Sequence, residues 1–386
     1  MNVLISGAGI AGPALAYWLG RRGFHPAIVE IAPALRTGGN AVDYRGPVHL
    51  GLLAKMGLLD DLRAVQTGGT AMRFVDEHGR RTMEMPSDFA GGDVEIRRGD
   101  LSRILCAAAG DRTEYLFGDS ITALAETPEG VDVTFASGLR RTFDLVIGAD
   151  GVHSNVRRLA FGPEKEFVSH QGYYVGGWDM PNEPGLGRDT LNYNTPGRLA
   201  AIGSDGAFIA FAAPELTYDR HDLGTQKRII RERFAGLGWE VPRMLAALDA
   251  AEDIYFDQIC RVDCTPWSRG RVALIGDAAA GATIGGMGNG TAVVEAYVLA
   301  GGLAAARGDH RVAFPRYEQI VSRYARKAQG SGGMTGRFLA PKTAWGRRTR
   351  NWLHNRAWFM ALTYKIAGDR SAGIKLPDYE HRVAAG

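Results

Sequence analysis

The apolar positions along this chain change their rhythm twice, and the changes mark out its elements. In the first thirty residues two unbroken apolar runs, Val3-Leu4-Ile5 and Ala27-Ile28-Val29, flank a stretch of helical composition from Pro13 to Leu19. Runs of the same unbroken kind recur at Phe143 to Gly148 and at Arg271 to Ile275. Continuous rather than alternating apolar strands belong in a parallel sheet covered on both faces. Between Phe167 and Val262 the texture differs. Strands are predicted at Tyr173–Trp178, Thr190–Tyr193 and Ala207–Ala212, with a hairpin turn at Gly203-Ser204-Asp205-Gly206. The piece from Met72 to Met85, turning at His78-Gly79, has the same character, so an antiparallel sheet is expected to form from these segments. Helices are predicted there at Thr225–Phe234 and Pro242–Leu248, and from Pro315 onward the pattern is helical. Trp345, Trp352, Phe359 and Ile366 recur every seventh position. They predict one amphipathic helix of about 22 residues, ~33 Å long.

The joint between the first strand and the first helix carries the strongest chemical signal. It reads Gly7-Ala8-Gly9-Ile10-Ala11-Gly12, and the second strand ends in Glu30, about 20 residues further on. Strand, G-x-G-x-x-G turn, helix, strand and acid follow one another in the order of a dinucleotide-binding unit. Gly7 and Gly9 let the turn close and a pyrophosphate approach, Gly12 lets helix and strand pack, and the helix N-terminus faces the phosphates. The turn does not distinguish NAD from FAD. Two later apolar strands also end in glycine and aspartate, at Asp150-Gly151 and at Gly276-Asp277, the latter opening a loop rich in glycine. An aspartate at the carboxyl end of such a strand points into the ligand crevice.

Composition narrows the class without changing that picture. The chain has 386 residues, 45% hydrophobic and 23% charged, which fits a folded protein of two or three packed units. Its 52 glycines show no collagen period, and its three cysteines cannot build a disulfide framework. A reducing, cytoplasmic compartment is therefore expected, with no metal site at Cys260 and Cys264 and no integral membrane segment. Between Gln319 and Leu376 twelve Lys and Arg face one acid, Asp369, although the net charge of the whole chain is only +3. That basic tail is read as a solvated helix face, with no nucleic-acid partner.

Taken together the motifs resemble the class A FAD-dependent aromatic hydroxylases, the flavoprotein monooxygenases of the para-hydroxybenzoate hydroxylase fold. Among these the chain is most similar to tetracycline-degrading and polyketide-hydroxylating enzymes. The resemblance rests on GAGIAG at 7–12, the run from Glu30 through Arg36 to Gly39, the stretch from Asp144 through Asp150 to Arg157, Gly276-Asp277 with its glycine loop, and Arg97-Arg98 before a helix. It implies an α/β chain whose Rossmann-type FAD-binding domain (1–71, 97–166 and 263–330) is interleaved with an antiparallel substrate domain (72–96 and 167–262). Residues 331–386 would form a bridging helix and tail. It also implies tightly bound FAD, NADPH or NADH as a transient co-substrate, and dioxygen.

In that class Gly7, Gly9, Ile10, Ala11 and Gly12 would cradle the pyrophosphate, Glu30 would hold the adenosine ribose, and Arg36 and Arg98 would anchor FAD. Asp150 and Gly151 would lie near the pyrophosphate, Asp277 would accept from the ribityl chain, and Gly286, Met287, Gly288 and Asn289 would lie against the isoalloxazine. Oxygen would reach an aromatic or polyketide-like substrate through a flavin C4a-hydroperoxide, so no side-chain catalytic residue is assigned. Wall candidates by strand position are Tyr173, Trp178, Asn192 and Phe208, with Tyr174, Tyr193 and Phe211 beside them; the period of two turns half of these away. The loop after Asp277 lacks the histidine and prolines usual in the class. Alternatives on the same scaffold are a flavin oxidase or reductase that inserts no oxygen, or a flavin-binding sensor. A monomer or homodimer is expected.

Overall fold

The protein is described here as a computed structural model covering residues 1–35, 41–87, 92–181, 189–204, 206–284, 287–329, 332–363 and 373–379. The strands anticipated at the start of the chain align in a six-stranded sheet. Its order is Ser268–Arg269, Val272–Leu274, Leu145–Gly148, Asn2–Ser6, His25–Glu30 and Glu114–Phe117, parallel throughout except at the Ser268–Arg269 edge. Val3, Leu4, Ile5, Leu145, Val146 and Ile147 are fully buried, as unbroken apolar runs covered on both faces require. The helices Ala11–Gly20 and Gly288–Ala305 lie in the same core as these strands. A three-stranded antiparallel meander, Ile121–Glu126, Val131–Phe135 and Arg140–Phe143, is attached to this unit and was not anticipated.

The second sheet has seven strands in the order Tyr255–Val262, Val168–Trp178, Gly206–Ala212, Arg198–Gly203, Thr190–Thr195, Met72–Val75 and Arg81–Met85. The hairpin expected at Gly203 to Gly206 joins Arg198–Gly203 to Gly206–Ala212, with Asp205 outside the described residues. The hairpin turning at His78-Gly79 joins the sheet at its edge, yet through a parallel pairing of Met72–Val75 with Thr190–Thr195. One parallel pair therefore interrupts the antiparallel order. Residues 72–96 do not all belong here: Val94–Arg97 pairs with Ala41–Tyr44, and Val94 and Ile96 are buried in the first core.

The two faces of the seven-stranded sheet bury different cores. One face, called the back, packs Tyr174, Trp178, Tyr193, Ile209 and Phe211 against the helices Leu223–Phe234 and Val241–Ala250. The other, the front, carries Phe74, Tyr173, Val175 and Ile259, covered by Leu339 and Ala340 after the Gly332–Leu339 helix.

The C-terminal stripe does not pack as its spacing predicts. The Ala344–His354 helix ends before helix resumes over 357–363, so no single 22-residue helix forms, and Ile366 lies outside the described residues. Trp345 is 76% and Trp352 54% exposed, whereas Arg350 is buried. The arginine edge faces inward because the Arg350 guanidinium lies over Phe74 and Phe338, 4.4 and 5.3 Å from their centroids, and donates to Asn194 Oδ1 at 2.8 Å. Bracing across the sheet falls instead to the shorter Gly332–Leu339 helix, where Gly336 stands against the Tyr173 ring. Among the described residues no helix is long and apolar enough to cross a membrane.

Gly12 shows how tightly the first unit is drawn together: a Cβ there would stand 2.0 Å from the Gly7 carbonyl oxygen. Gly12→Ala is expected to cost about 1–3 kcal/mol, the range for overpacking, whereas a Cβ at Gly9 meets no atom within 4 Å. Denaturant unfolding of the two variants without added FAD measures the contrast, with Gly9→Ala expected within about 0.5 kcal/mol of the parent.

Candidate active site

The carboxyl ends of the parallel strands converge on one crevice. The first strand turns at Gly7, whose φ is +109° and whose N–H donates to the Val29 carbonyl at 2.8 Å. The next helix begins after Ile10 without a side-chain cap. Its leading N–H groups are left for a ligand, and the helix end favours an anion. Ser102, on the Arg98–Ala109 helix, ties the turn down by donating to the Ala8 and Gly9 carbonyls at 2.9 and 3.2 Å. Glu30 accepts from the Ala8 N–H at 2.8 Å and the Ala32 N–H at 3.0 Å, which fixes its carboxylate beside the turn. A carboxylate has about four lone-pair sites, so acceptor capacity remains for a ribose hydroxyl.

The two aspartates at the other strand ends are in different states. Asp150 is engaged within the fold: Ser154 Oγ, Ser6 Oγ and the Val156 N–H all donate to it. Burial nevertheless raises its pKa, opposed by those hydrogen bonds. What it leaves open is backbone, for Gly151 has a φ of +78° and a Cβ there would meet nothing within 4 Å. Asp277 has no hydrogen-bond partner among the described residues, and it lines a cleft with Gly276, Gly288 and Thr291. Burial raises its pKa, and the Arg98 charge opposes the rise. Arg98 and Asp277, predicted from separate motifs, therefore face one another electrostatically. Gly288 and Asn289 form the first turn of the Gly288–Ala305 helix, with Met287 at its N-cap and no side-chain cap. Arg36 and Gly286 lie outside the described residues.

The wall candidates divide by strand parity. Trp178 is corrected: it lies in the back core and donates its indole N–H to the Met244 carbonyl at 3.1 Å, so it turns away from the crevice. Tyr174, Tyr193 and Phe211 share that back face. Tyr173, Asn192 and Phe208 are on the front. Tyr173 is buried beneath Gly336, and the buried Asn192 amide donates to Thr190 Oγ1 at 3.0 Å. Phe208 alone of the three keeps part of its surface accessible, in the cluster that includes Ile284 from the glycine loop.

Several polar residues behind the site were not singled out from the sequence. Glu295, fully buried, accepts from the Gly276 N–H and from the Tyr317 hydroxyl, holding the turn that presents Asp277. Burial pushes its pKa up to about 8, with the Gly276 N–H opposing and Asp277 adding to the rise. A glutamate in the otherwise apolar run Ala292 to Ala300 is the sequence signal for it. Arg157, also fully buried, donates to the Ala278 carbonyl at 2.9 Å, joining the Asp150 and Asp277 segments. His153, two residues beyond Gly151, links the two units. Its Nδ1 lies 3.0 Å from Glu164 and its Nε2 3.1 Å from Asp257 on the second sheet. Burial alone would lower its pKa, but Asp257 and Glu164 outweigh it and lift it to about 9.

Comparison with known proteins finds relatives along nearly the whole chain. The family described as FAD binding domain matches residues 1–185. An uncharacterized protein of Mycobacterium tuberculosis is 40% identical, over 82% of this chain and 88% of its own. A flavin-dependent monooxygenase of Legionella longbeachae is 34% identical over 98% of each chain. Among solved structures, the tetracycline destructase Tet(55) is 33% identical and superposes over 98% of both chains with a TM-score of 0.84.

His153 sets a pH dependence of stability. Its pKa of about 9 is above the ~6.5 of an unfolded histidine, so its contribution is complete below pH ~6.5 and lost as pH rises through about 9. His153→Gln is expected to lower Tm most at pH 6 and least at pH 9.5, read by thermal denaturation across that series.

Proposed function

The chain belongs to the FAD-dependent monooxygenase family, and we propose that it draws electrons from NADPH or NADH and transfers one atom of dioxygen to an aromatic or polyketide-like small molecule. The observation that carries the site assignment is the Asp277 carboxylate, which faces a cleft at a strand end without a partner among the described residues. A polar group in that position calls for a hydrogen-bond donor, and a cofactor hydroxyl supplies one. Glu30, beside the open backbone at Gly9, fits the adenosine ribose, and the uncapped helix start at Ile10 and Ala11 fits the pyrophosphate. Gly151 adds open backbone, and Arg98 gives a cation near Asp277. The residues therefore fit FAD.

Bound there, FAD supplies the electron transfer and the oxygen chemistry. The chain binds and orients it, and the front face of the second sheet excludes water from the substrate. Phe208, Met72, Ile284 and Phe338 make that face apolar, which supports a flat, weakly polar substrate. Tetracycline is the first compound to test, because a tetracycline destructase is one third identical over nearly the whole chain. The reading includes action as a monomer or homodimer and a cytoplasmic location, the latter supported by three buried cysteines without a disulfide.

Denatured protein is expected to release FAD. With NADPH, labelled dioxygen and tetracycline or an aromatic polyketide, the product should gain one labelled oxygen by mass. NADPH oxidation that yields only hydrogen peroxide across such a panel would overturn the oxygen transfer while leaving the flavin site standing. Asp277→Ala should raise the FAD dissociation constant about three- to tenfold, measured by fluorescence against Asp253→Ala, an exposed carboxylate outside the site.

A further inference from the structure

We infer that the cavity between the Met72–Met85 hairpin and the Ala344–His354 helix is a second binding site, for a small anion carried on a flat aromatic ring. The cavity has a volume of about 410 Å³ and lies at the edge of the seven-stranded sheet away from the glycine loop. That loop meets the sheet at the opposite edge, where Arg261 bridges to Ala282 and the Cys260 N–H donates to Thr283. Six strand spacings of ~4.8 Å put the two edges ~29 Å apart.

Its lining is cationic without compensation. Arg347, Arg348 and Arg350 all face the cavity, and none has a carboxylate within ion-pairing distance among the described residues. Arg350 is buried and spends its donors on neutral oxygens, those of Phe338, Asn194 and Asn351. Burial and the neighbouring Arg347 charge push its pKa down to about 10, which leaves it cationic at neutral pH. Arg347 donates to the Asn194 carbonyl, whereas Arg348 is exposed and makes no contact of this kind among the described residues. Asp76 is the one carboxylate of the lining among the described residues, and it is already bound by the Arg80 side chain and by the His78 and Arg80 N–H groups.

A buried charge is ordinarily paired, and three like charges around one cavity repel each other. An anion entering it removes both costs. The guanidinium fork matches carboxylate and phosphate oxygens. Trp352, more than half exposed on the same wall with the Arg356 guanidinium over one face at 4.9 Å, offers its other face as a flat apolar surface on which a ring can stack. Asn351 and Asn355 add amide groups at the rim. The volume is that of a small-molecule pocket rather than of a lone ion.

The test uses the full-length, FAD-loaded protein and three probes: 1-naphthoate, 2′,5′-ADP and the neutral 1-naphthylmethanol. Calorimetric titration is expected to show saturable binding of at least one anion and none of the alcohol. Binding of 2′,5′-ADP alone would identify a phosphate site, of naphthoate alone a carboxylate site; both support the inference. Arg348→Gln, at an exposed position remote from the flavin, should weaken binding about tenfold, the scale of a lost charge-assisted contact, with FAD content unchanged. Failure of both anions to saturate, equal binding of the alcohol, or an unaltered affinity in Arg348→Gln would overturn it. So would a shift of the flavin absorbance bands on titration, which would place the anion at the flavin instead. None of these outcomes depends on oxygen transfer.

Discussion

The crevice exists because backbones approach where no side chain fits. A Cβ on Gly7 would stand 2.6 Å from the Ala149 carbonyl oxygen, and one on Gly276 3.1 Å from the Ala11 Cβ. These contacts bring the turns after three strands, at Gly7, Asp150 and Gly276, to the carboxyl end of one parallel sheet. Glycine permits the positive φ at Gly7 and Gly276 at little cost. A larger residue at either place would part the turns and dissolve the crevice. Ligand affinity in this fold therefore starts from packing, before any side chain contributes a hydrogen bond.

Behind that backbone frame lies a layer of buried polar groups that the ligand would not touch. Glu295 holds Gly276, Tyr317 holds Glu295 and donates to the Leu274 carbonyl, and Arg157 holds Ala278. One Glu295 oxygen has no partner among the described residues. An ionised carboxylate so placed would carry a large desolvation cost, and burial accordingly lifts the pKa to about 8. Burial thus favours the neutral form of Glu295, which adds no charge beside Asp277. The two acids thus divide their work: Glu295 supports the turn, and Asp277 keeps its oxygens for the crevice.

Short-range patterns were legible in the sequence and long-range parity was not. The turn at 7–12, Glu30, and the Asp150 and Asp277 strand ends follow from runs of a few residues, and the structure brings them to one place. Trp178 failed because assigning a strand does not assign its face; only the packing of Met244 beneath it shows which side is the back. The tryptophan stripe failed for a related reason. Heptad spacing identifies a helix face, but Arg350, with its guanidinium over the Phe74 and Phe338 rings, is a better core partner than hydropathy credits. His153 and Glu295 carry no local pattern, since their partners lie on other elements.

The division of labour between the two units also explains why the interface is polar where it is. The second sheet offers the first unit an apolar front beside the glycine loop, and a charged patch beside the Asp150 turn, where His153, Glu164 and Asp257 meet. An apolar contact alone is non-directional and would tolerate sliding of one unit over the other. The imidazole is directional: its two nitrogens reach Glu164 on its own side and Asp257 across the boundary, and Arg220 approaches the same Glu164 at 3.9 Å. Such a contact resists rotation, because a small displacement breaks a charge-assisted hydrogen bond. It sits two residues from Gly151, so the contact between the two units is made from the same segment that borders the crevice. The relative placement of the two units therefore runs in part through His153.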